Sequence, residues 1–267
     1  MNPVSNTAFY CCGVRMLDAE QKNPVCGDEY AHLFMNEQGK SVFEAFKKFK
    51  GPNASNTCRH RIIDDMICDE LMRNPDLLIV LIGAGFDTRA YRIDGGKWIE
   101  IDEQPVIEYK NSCLPEEKCM NFLRRIPVDF SVDSMDQILA PYTKHKQVLF
   151  VIEGVFMYLD EKQINVLLDS LKRVFPKHKL VCDLMTKQFF DKYARRFHEN
   201  ITRLGTSFTL MNDPVDIFLQ HGYHEVNSES TIRHAVKHGL MKVPGFILDY
   251  FLKTLASGYC VYQFKNG

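Results

Sequence analysis

The sequence lacks the features that would place the protein in a membrane or on a highly charged partner. Its longest purely aliphatic run, residues 77–82, is far shorter than the ~18 to 20 residues that span a bilayer. The stretch from Met1 to Ser5 has no basic region of the kind that begins a secretory signal. The 33 basic and 34 acidic residues leave a formal net charge of -1, which gives no electrostatic footprint for nucleic acid or an anionic membrane. We therefore expect a soluble, cytoplasmic protein that binds neither.

Cysteine is present, but it lacks any pairing pattern. The nine cysteines are an odd number, and none of them forms a C-x-x-C pair. Neither a disulfide framework nor a zinc site is indicated, and reduced, mostly buried thiols are expected. His234 and His238 have the spacing of a metal-binding pair on a helix, but the H-E-x-x-H pattern is absent. No metal is predicted.

Short apolar segments alternate with helical ones, without repeats or long Gly/Ser linkers. Strands are predicted at 77–82, 97–101, 148–152, 180–182 and 259–264, with 223–226 as a candidate partner for the last. Asp160 and Gln163 form a capping-box pattern that begins a helix, and Asp213-Pro214 begins another that Gly222 ends. This alternation predicts one α/β domain with a mostly parallel sheet, and the helical first 70 residues are expected to cover its carboxyl edge.

The residues after the first predicted strand form a glycine turn at the edge where parallel sheets bind ligands. Gly83 and Gly85 allow the backbone to turn tightly and to approach a ligand. A dinucleotide-binding fingerprint has Gly or Ala at the position that Thr88 occupies. This difference counts against a nicotinamide dinucleotide as the cofactor. The second strand brings acids to the same edge, and either Glu100 or Asp102 could hold a ribose diol. A nucleoside without phosphates suits this pattern, although a purely structural turn is the alternative.

At residues 83–92 the sequence resembles the G-A-G-x-D-T-R-x-Y-R signature of the leucine carboxyl methyltransferase family, including its bacterial branch of small-molecule O-methyltransferases. Four further segments are similar to family motifs in order and spacing, although the first is expanded and altered. They are 23–31 (D-P-Y-A), 59–65 (R-T-R-x-x-D-D), 127–130 (V-D-L) and 152–159 (E-G-L-L-M-Y-L). Together these segments cover roughly residues 6–180. The resemblance implies a Rossmann-like class I methyltransferase fold with a mostly parallel seven-stranded sheet.

The resemblance also implies S-adenosyl-L-methionine as cofactor and S-adenosyl-L-homocysteine as product. Arg59 would pair with the methionine carboxylate and Glu153 with its amino end. Asp102 would hold the ribose, and Asp129 with Phe130 the adenine. The remaining predicted cofactor contacts are Gly83, Ala84, Gly85, Asp87, Glu103 and Gly154. The chain departs from the family at 103–105, where Glu-Gln-Pro replaces a tighter acid-x-Pro, and at Phe130, which replaces Leu.

Several of these residues have a purely structural alternative. Arg59 and Arg61 could form ion pairs within a helix that carries Asp64 and Asp65. Asp129 could cap the stretch that begins at 131. Glu153 follows a buried strand, where an unpartnered carboxylate is costly, so a functional role is favoured.

The predicted activity is O-methylation of a carboxylate or hydroxyl group of a small molecule. A carboxylate is ionised at neutral pH and needs no general base, whereas a hydroxyl would need one, with Tyr158 or a histidine as candidate. The acceptor pocket is expected to involve the N-terminal helices and the aromatic segment 185–212, with Phe189, Phe190, Tyr193, Phe197, Phe208 and Met211.

We expect a single domain with three parts. Residues 1–72 would form a helical lid, 73–184 the cofactor-binding core, and 185–267 a substrate-side insertion with the terminal strands. The alternatives are a methyltransferase acting on a protein's C-terminal leucine, an NAD-dependent oxidoreductase, and a protein that binds the cofactor and transfers nothing.

Overall fold

The computed structural model describes residues 3–267, with side chains from Asn6 onward. Met1 and Asn2 of the predicted lid lie outside the described residues, as do all side chains of the segment from Met1 to Ser5. The strands are β1 (Leu78–Ile82), β2 (Lys97–Glu103), β3 (Phe122–Val128), β4 (Val148–Ile152), β5 (His178–Met185), β6 (His224–Ser230) and β7 (Tyr259–Asn266).

These seven strands form one sheet in the order β3-β2-β1-β4-β5-β7-β6. β7 runs antiparallel to β5 and β6, and the other pairings are parallel. The order reverses between β1 and β4, so the carboxyl ends of β1, β2 and β4 meet at the position where open α/β sheets bind ligands. The predicted class I methyltransferase fold and its mostly parallel seven-stranded sheet are confirmed.

The strand predictions differ from the structure chiefly at β3, which the sequence reading missed. Arg124, Arg125 and Pro127 interrupt its apolar run. Because β3 is an edge strand paired only with β2, an alternating pattern is tolerated, and the buried Arg125 is paired with a carboxylate of β2. The terminal pairing is confirmed, with β6 against β7 and a bulge between Glu225 and Asn227.

Helices cover both faces of the sheet. Their bounds are α1 (Pro3–Ala19), α2 (Glu37–Phe46), α3 (Lys50–Arg73), α4 (Arg89–Arg92), α5 (Gln104–Cys113), α6 (Met135–Leu139), α7 (Glu161–Val174), α8 (Lys187–Phe189), α9 (Arg195–Arg203), α10 (Asp216–Gln220), α11 (Thr231–Lys237), α12 (Gly245–Tyr250) and α13 (Lys253–Ser257). Five residues between α8 and α9, Phe190–Ala194, form a π-helix. Among the described residues, no helix is long and apolar enough to cross a membrane.

The two helix starts predicted from capping patterns have different outcomes. Asp160 and Gln163 make the reciprocal hydrogen bonds of a capping box at the start of α7, as predicted. The helix predicted from Pro214 begins instead at Asp216. The Asp213 carboxylate accepts a hydrogen bond from the backbone N–H of Val215, 3.3 Å away, so it closes a turn that precedes α10.

The N-terminal helices pack over the glycine turn that follows β1. Phe86, at the turn, lies with its ring centroid 5.0 Å from that of Phe9 in α1 and 5.2 Å from that of Phe34. Arg15 of α1 donates a hydrogen bond to the carbonyl oxygen of Phe86 at 2.7 Å. The first helix thus lies over this edge of the sheet, whereas Ile62, Ile67 and Leu71 of α3 pack with β1 on its face. That residues 1–72 form a lid stays a prediction.

Candidate active site

The glycine turn is held by bonds to the end of β2. Gly83 and Gly85 have φ angles of +71° and +48°, which favour glycine because a side chain rarely adopts them. The N–H groups of Gly83 and Ala84 donate to the carbonyl oxygen of Ile101 at 2.9 and 3.1 Å. A Cβ atom at position 83 would lie 2.5 Å from Cγ2 of Val155. Position 83 of the turn therefore has no room for a side chain.

Asp102, at the carboxyl end of β2, is bonded to this turn. Its carboxylate accepts hydrogen bonds from the backbone N–H groups of Gly85 at 2.6 Å and of Glu103 at 2.7 Å. Burial raises the pKa of Asp102 to about 6 despite these bonds. Glu100, the other ribose candidate, is fully buried beside Lys110 and Arg125 instead. Asp102 and Glu103, rather than Glu100, are therefore the acidic residues of β2 that lie at the predicted ribose site.

Arg59 of α3 is buried and links three elements. Its Nε donates to Glu153 at 2.9 Å, just beyond β4. Its Nη1 donates to Asp183 of β5 at 3.2 Å and to the hydroxyl of Tyr259 of β7 at 2.8 Å. The ion pair within the helix, which was the structural alternative for both arginines, is formed by Arg61, which pairs with Asp65 at 2.8 Å. Arg59 is held where the predicted methionine end would lie.

Asp183 is a site residue that the sequence reading missed. It is 1% exposed, and besides Arg59 it accepts hydrogen bonds from the backbone N–H of Gly154 at 2.6 Å and from the Tyr259 hydroxyl at 2.7 Å. Gly154 has a φ of +69°, so Asp183 fixes the turn after β4 as Asp102 fixes the turn after β1. A charged residue directly after the predicted strand 180–182 was the available signal.

The signature segment 83–92 forms a buried ion network with α3. Arg89 is fully buried and pairs with Asp87, with Asp64 at 2.5 Å and with Glu153 at 2.8 Å. Arg92 pairs with the second oxygen of Asp64 at 2.9 Å. Much of the motif therefore joins the glycine turn to α3. Asp87 was predicted to contact the cofactor, and in the structure its carboxylate binds Arg89.

The network also determines protonation. Burial opposes ionisation of Glu153, but Arg89 and Arg59 outweigh it and hold the pKa of that carboxyl well below its usual range. Burial and Arg89 lower the pKa of His60, so its imidazole is neutral at neutral pH. His60, Asp87 and Glu153 offer ligand atoms within 4.8 Å of one another. Arg89 contacts all three of them, so this is an arginine-bound cluster.

Asp129 and Phe130, the predicted adenine contacts, are exposed beyond β3. The Asp129 carboxylate accepts hydrogen bonds from the backbone N–H of Ser131 at 2.9 Å and from its hydroxyl at 2.6 Å. These bonds lower the pKa of Asp129. The capping alternative is thus present in the structure, and Phe130 offers a ring that is 46% exposed. Their contact with adenine stays a prediction.

A cavity of about 290 Å³ adjoins Arg59 and Gly154. The segment predicted to line an acceptor pocket contributes Phe189, Tyr193, Phe197 and Phe208 to its wall, but not Phe190 or Met211. The N-terminal helices supply further lining residues, which are Thr7, Tyr10, Cys11, Gly51, Pro52, Ser55 and Asn56. Among the lining residues, all within the described chain, none is aspartate, glutamate or histidine, and Arg59 is the one charged side chain.

Tyr158, the candidate catalytic residue, lies in this wall. Its ring packs edge-on against Phe208 with a centroid distance of 5.3 Å. Burial raises the pKa of its phenol well above its usual value, and a hydrogen bond with Thr7 only partly offsets this. Tyr158 is therefore protonated at neutral pH and is suited to donate a hydrogen bond.

The structure divides the predicted site residues into two adjoining groups. Gly83, Ala84, Gly85, Asp102 and Glu103 gather at the ends of β1 and β2. The second group borders the cavity and consists of Arg59, Gly154 and Tyr158. Glu153 connects the two groups through its contacts with Arg89 and Arg59.

Known proteins with similar sequences are described as methyltransferases. A protein of Mycolicibacterium gilvum (strain PYR-GCK), named as a candidate S-adenosyl-L-methionine-dependent methyltransferase, is 26% identical over 228 residues, which are 78% of this chain and 76% of that protein. A protein of the same description from Mycobacterium tuberculosis (strain ATCC 25177 / H37Ra) is 24% identical over 94% of this chain and 92% of its own length.

Two solved structures share the fold. A DUF574 family protein from Streptomyces avermitilis MA-4680 superposes with a TM-score of 0.64 at 11% identity, covering 89% of this chain and 95% of its own. Magnesium protoporphyrin IX methyltransferase from Synechocystis PCC 6803 with bound SAH gives 0.52 at 12% identity, covering 88% and 97%. The family model for leucine carboxyl methyltransferase matches residues 8–172. The chain therefore belongs to the leucine carboxyl methyltransferase family.

Proposed function

We propose that this protein is an S-adenosylmethionine-dependent O-methyltransferase that methylates the carboxylate of a small, mainly apolar molecule. The observation that carries the proposal is the cavity beside Arg59. Its wall is apolar and aromatic, it holds a guanidinium, and none of its described residues is an acid or a histidine. Such a wall suits an acceptor that is apolar over most of its surface and that needs no base to be methylated.

The residues beside this cavity fit the cofactor. The turn at Gly83 and Gly85 has no side chains that would keep a nucleoside from the backbone. Asp102 and Glu103 offer carboxylate oxygens for a ribose diol. Arg59 and Glu153 supply opposite charges for the carboxylate and the ammonium of the methionine end. Family membership and the names of the two mycobacterial relatives support the same cofactor.

When bound, S-adenosylmethionine supplies a methyl group that its sulfonium already activates. This chain's part is to align the acceptor and to exclude water. The apolar wall orients the acceptor and keeps water away from it, and alignment of this kind lowers the barrier of a displacement. Tyr158 holds its proton and can donate a hydrogen bond to an acceptor oxygen.

The lack of a base in the wall favours a carboxylate over a hydroxyl acceptor. A hydroxyl group must lose its proton during methylation, and a general base must lie within hydrogen-bond reach to accept it. Burial keeps Tyr158 protonated, and the lining residues of the described chain include no aspartate, glutamate or histidine. A carboxylate is already ionised at neutral pH, so it needs no such group.

The proposed division of labour follows from the same geometry. The N-terminal helices and residues 185–267 form the acceptor side, and residues 73–184 hold the cofactor. A C-terminal leucine of a protein remains the second candidate acceptor, because that carboxylate gives the family its name. An NAD-dependent oxidoreductase is not favoured, since the family and the class I fold both indicate methyl transfer.

Calorimetric titration with S-adenosylhomocysteine tests the cofactor. We expect the native chain to bind it and Arg59→Gln to bind at least about tenfold more weakly, because a charge-assisted bond to the methionine carboxylate is lost. Arg61→Gln is the matched control, since Arg61 lies two residues away on the same helix, is exposed, and pairs with Asp65. Both variants are first shown to be folded by circular dichroism. No binding by a folded native chain would contradict the proposal.

Transfer of labelled methyl to a panel of carboxylic acids and matched alcohols tests the acceptor. Methyl esters are hydrolysed by base and methyl ethers are not, so base treatment of the product separates the two. Label that base releases from small molecules supports the proposal. Label that resists base refutes the carboxylate assignment, and label that enters protein in a lysate would favour the C-terminal leucine.

A further inference from the structure

Tyr193 is one of two residues of the cavity wall, with Ala194, that have a π-helical backbone. It lies in the π-helix Phe190–Ala194, which joins α8 to α9. A π-helical turn is rare, and such turns frequently occur at functional sites because the extra residue redirects a side chain. The ring of Tyr193 packs at 5.6 Å from that of Phe189, and both side chains line the cavity.

Among the described polar side chains of the wall, the Tyr193 hydroxyl is the group without a hydrogen-bond partner. Its oxygen is buried and makes no hydrogen bond to any residue that the structure describes. The other hydroxyl groups of the wall all have protein partners, and they belong to Thr7, Tyr10, Ser55, Tyr158 and Tyr259. Buried polar groups are normally satisfied, so an orphan that borders a cavity indicates a ligand that satisfies it.

We propose that Tyr193 determines acceptor specificity by hydrogen bonding to a second polar group of the acceptor. This inference rests on the proposed function and adds the substrate class: an aromatic or aliphatic carboxylic acid that carries a hydroxyl or carbonyl group away from the carboxylate to be methylated. The phenylalanines of the wall bind the apolar body, Tyr158 donates a hydrogen bond to the carboxylate, and Tyr193 binds the second polar group.

A site of this kind discriminates by the bond that it offers. An acid that lacks the second polar group leaves the Tyr193 hydroxyl buried and unpaired in the complex, whereas an acid that carries it forms one more hydrogen bond. A neutral hydrogen bond in a protein changes an equilibrium constant by about three- to tenfold. The expected preference between two acids that differ in this single group has that size.

Paired acids measure this preference directly. The pairs are phenylalkanoic acids and their 4-hydroxyphenyl counterparts at several chain lengths, titrated by calorimetry with and without S-adenosylhomocysteine. For at least one chain length, the native chain should bind the hydroxylated acid about three- to tenfold more tightly than its parent. Tyr193→Phe should bind both members equally and the parent acid as the native chain does.

Two controls separate recognition from folding. Tyr193→Phe breaks no bond within the chain, so its melting temperature should equal or exceed that of the native chain. Tyr223→Phe removes a buried hydroxyl outside this wall that is bonded to His178 at 2.8 Å, so it should lower the melting temperature and keep the preference within each pair.

Three results would overturn the inference: a preference that survives in Tyr193→Phe, no preference at any chain length, or a lower melting temperature of Tyr193→Phe. Failure of S-adenosylhomocysteine to bind, with the preference intact, would instead refute the proposed cofactor and leave the role of Tyr193 standing.

Discussion

The fully buried Arg89 offers the sharpest test of the ion network. We consider Arg89→Gln, which keeps much of the side chain's length and removes its charge. In the native chain the guanidinium contacts Asp64, Asp87 and Glu153. After the substitution these three carboxylates remain in a largely buried region, with Arg59 and Arg92 left to compensate.

The expected loss of stability follows from the number of uncompensated charges. Breaking one buried ion pair by removing a single partner costs about 3 to 5 kcal/mol. We expect a loss of this size and not three times as much, although three carboxylates lose a partner. The remaining arginines and partial protonation of the carboxylates reduce the uncompensated negative charge. A domain has a total stability of roughly 5 to 15 kcal/mol. The variant should therefore melt lower by roughly 6 to 20 °C.

The pH dependence of the free energy of unfolding is a second test of the same ion network. Arg89 and Arg59 hold the pKa of Glu153 well below its usual range, against the effect of burial. A carboxyl with a lowered pKa in the folded state stabilises the protein above its unfolded pKa and loses that contribution as the pH falls. Arg89→Gln lacks part of this contribution, so its stability should approach that of the native chain as the pH falls below about 4.5, the usual pKa of a glutamate.

Urea unfolding followed by circular dichroism at several pH values measures both effects. Arg61→Gln is the control, because its pair with Asp65 is exposed and a surface pair contributes below about 1 kcal/mol. If Arg89→Gln lost no more than the control at neutral pH, or if its loss did not change with pH, the buried network would not stabilise the fold as argued.

Three further predictions test the glycine turn and the core. Since burial raises the pKa of Asp102 to about 6, S-adenosylhomocysteine should bind about tenfold more weakly at pH ~5 than at pH ~7, and calorimetry should show a flat profile in Asp102→Asn. Gly83→Ala should lose about 1 to 3 kcal/mol in urea unfolding from backbone strain and overpacking, and adding Val155→Ala should restore only the part due to the clash. Tyr223→Phe leaves the buried His178, bonded to that hydroxyl at 2.8 Å, without its donor, so it should lose about 1 to 3 kcal/mol by the same measurement; no loss would show that the bond is absent.

The sequence predicted the parts of the fold that depend on local patterns. The buried strands β1 and β4 are continuous apolar runs, and the capping box at Asp160 acts within four residues. β3 was missed because its arginines read as polar, and only the pairing of Arg125 with Glu100 across the sheet explains why one of them is buried. That partner lies 25 residues away in the chain, so no local pattern contains it.

The candidate site also has residues that local sequence patterns predict and residues that depend on distant partners. The glycine turn and Glu153 follow predicted strands directly, so their place at the sheet edge could be inferred. Asp183 also follows a predicted strand, but its role could not be inferred, because it depends on Arg59, which is 124 residues distant. Asp87 was assigned to the cofactor from the motif, whereas the structure has its carboxylate on Arg89. A motif shows which residues occur together and leaves open which of them touch the ligand.

The buried ion network has a consequence for how such proteins diverge. Arg89 shares its carboxylates with Arg59 and Arg92, so a single change in the group leaves a charge uncompensated, and these positions are expected to vary together or not at all. The aromatic wall at 189–208 carries no such mutual constraint, since one apolar side chain can replace another of similar volume. Descendants of one ancestor would thus keep the signature while their acceptors drift apart, and annotation by the signature alone would assign one chemistry to many different substrates.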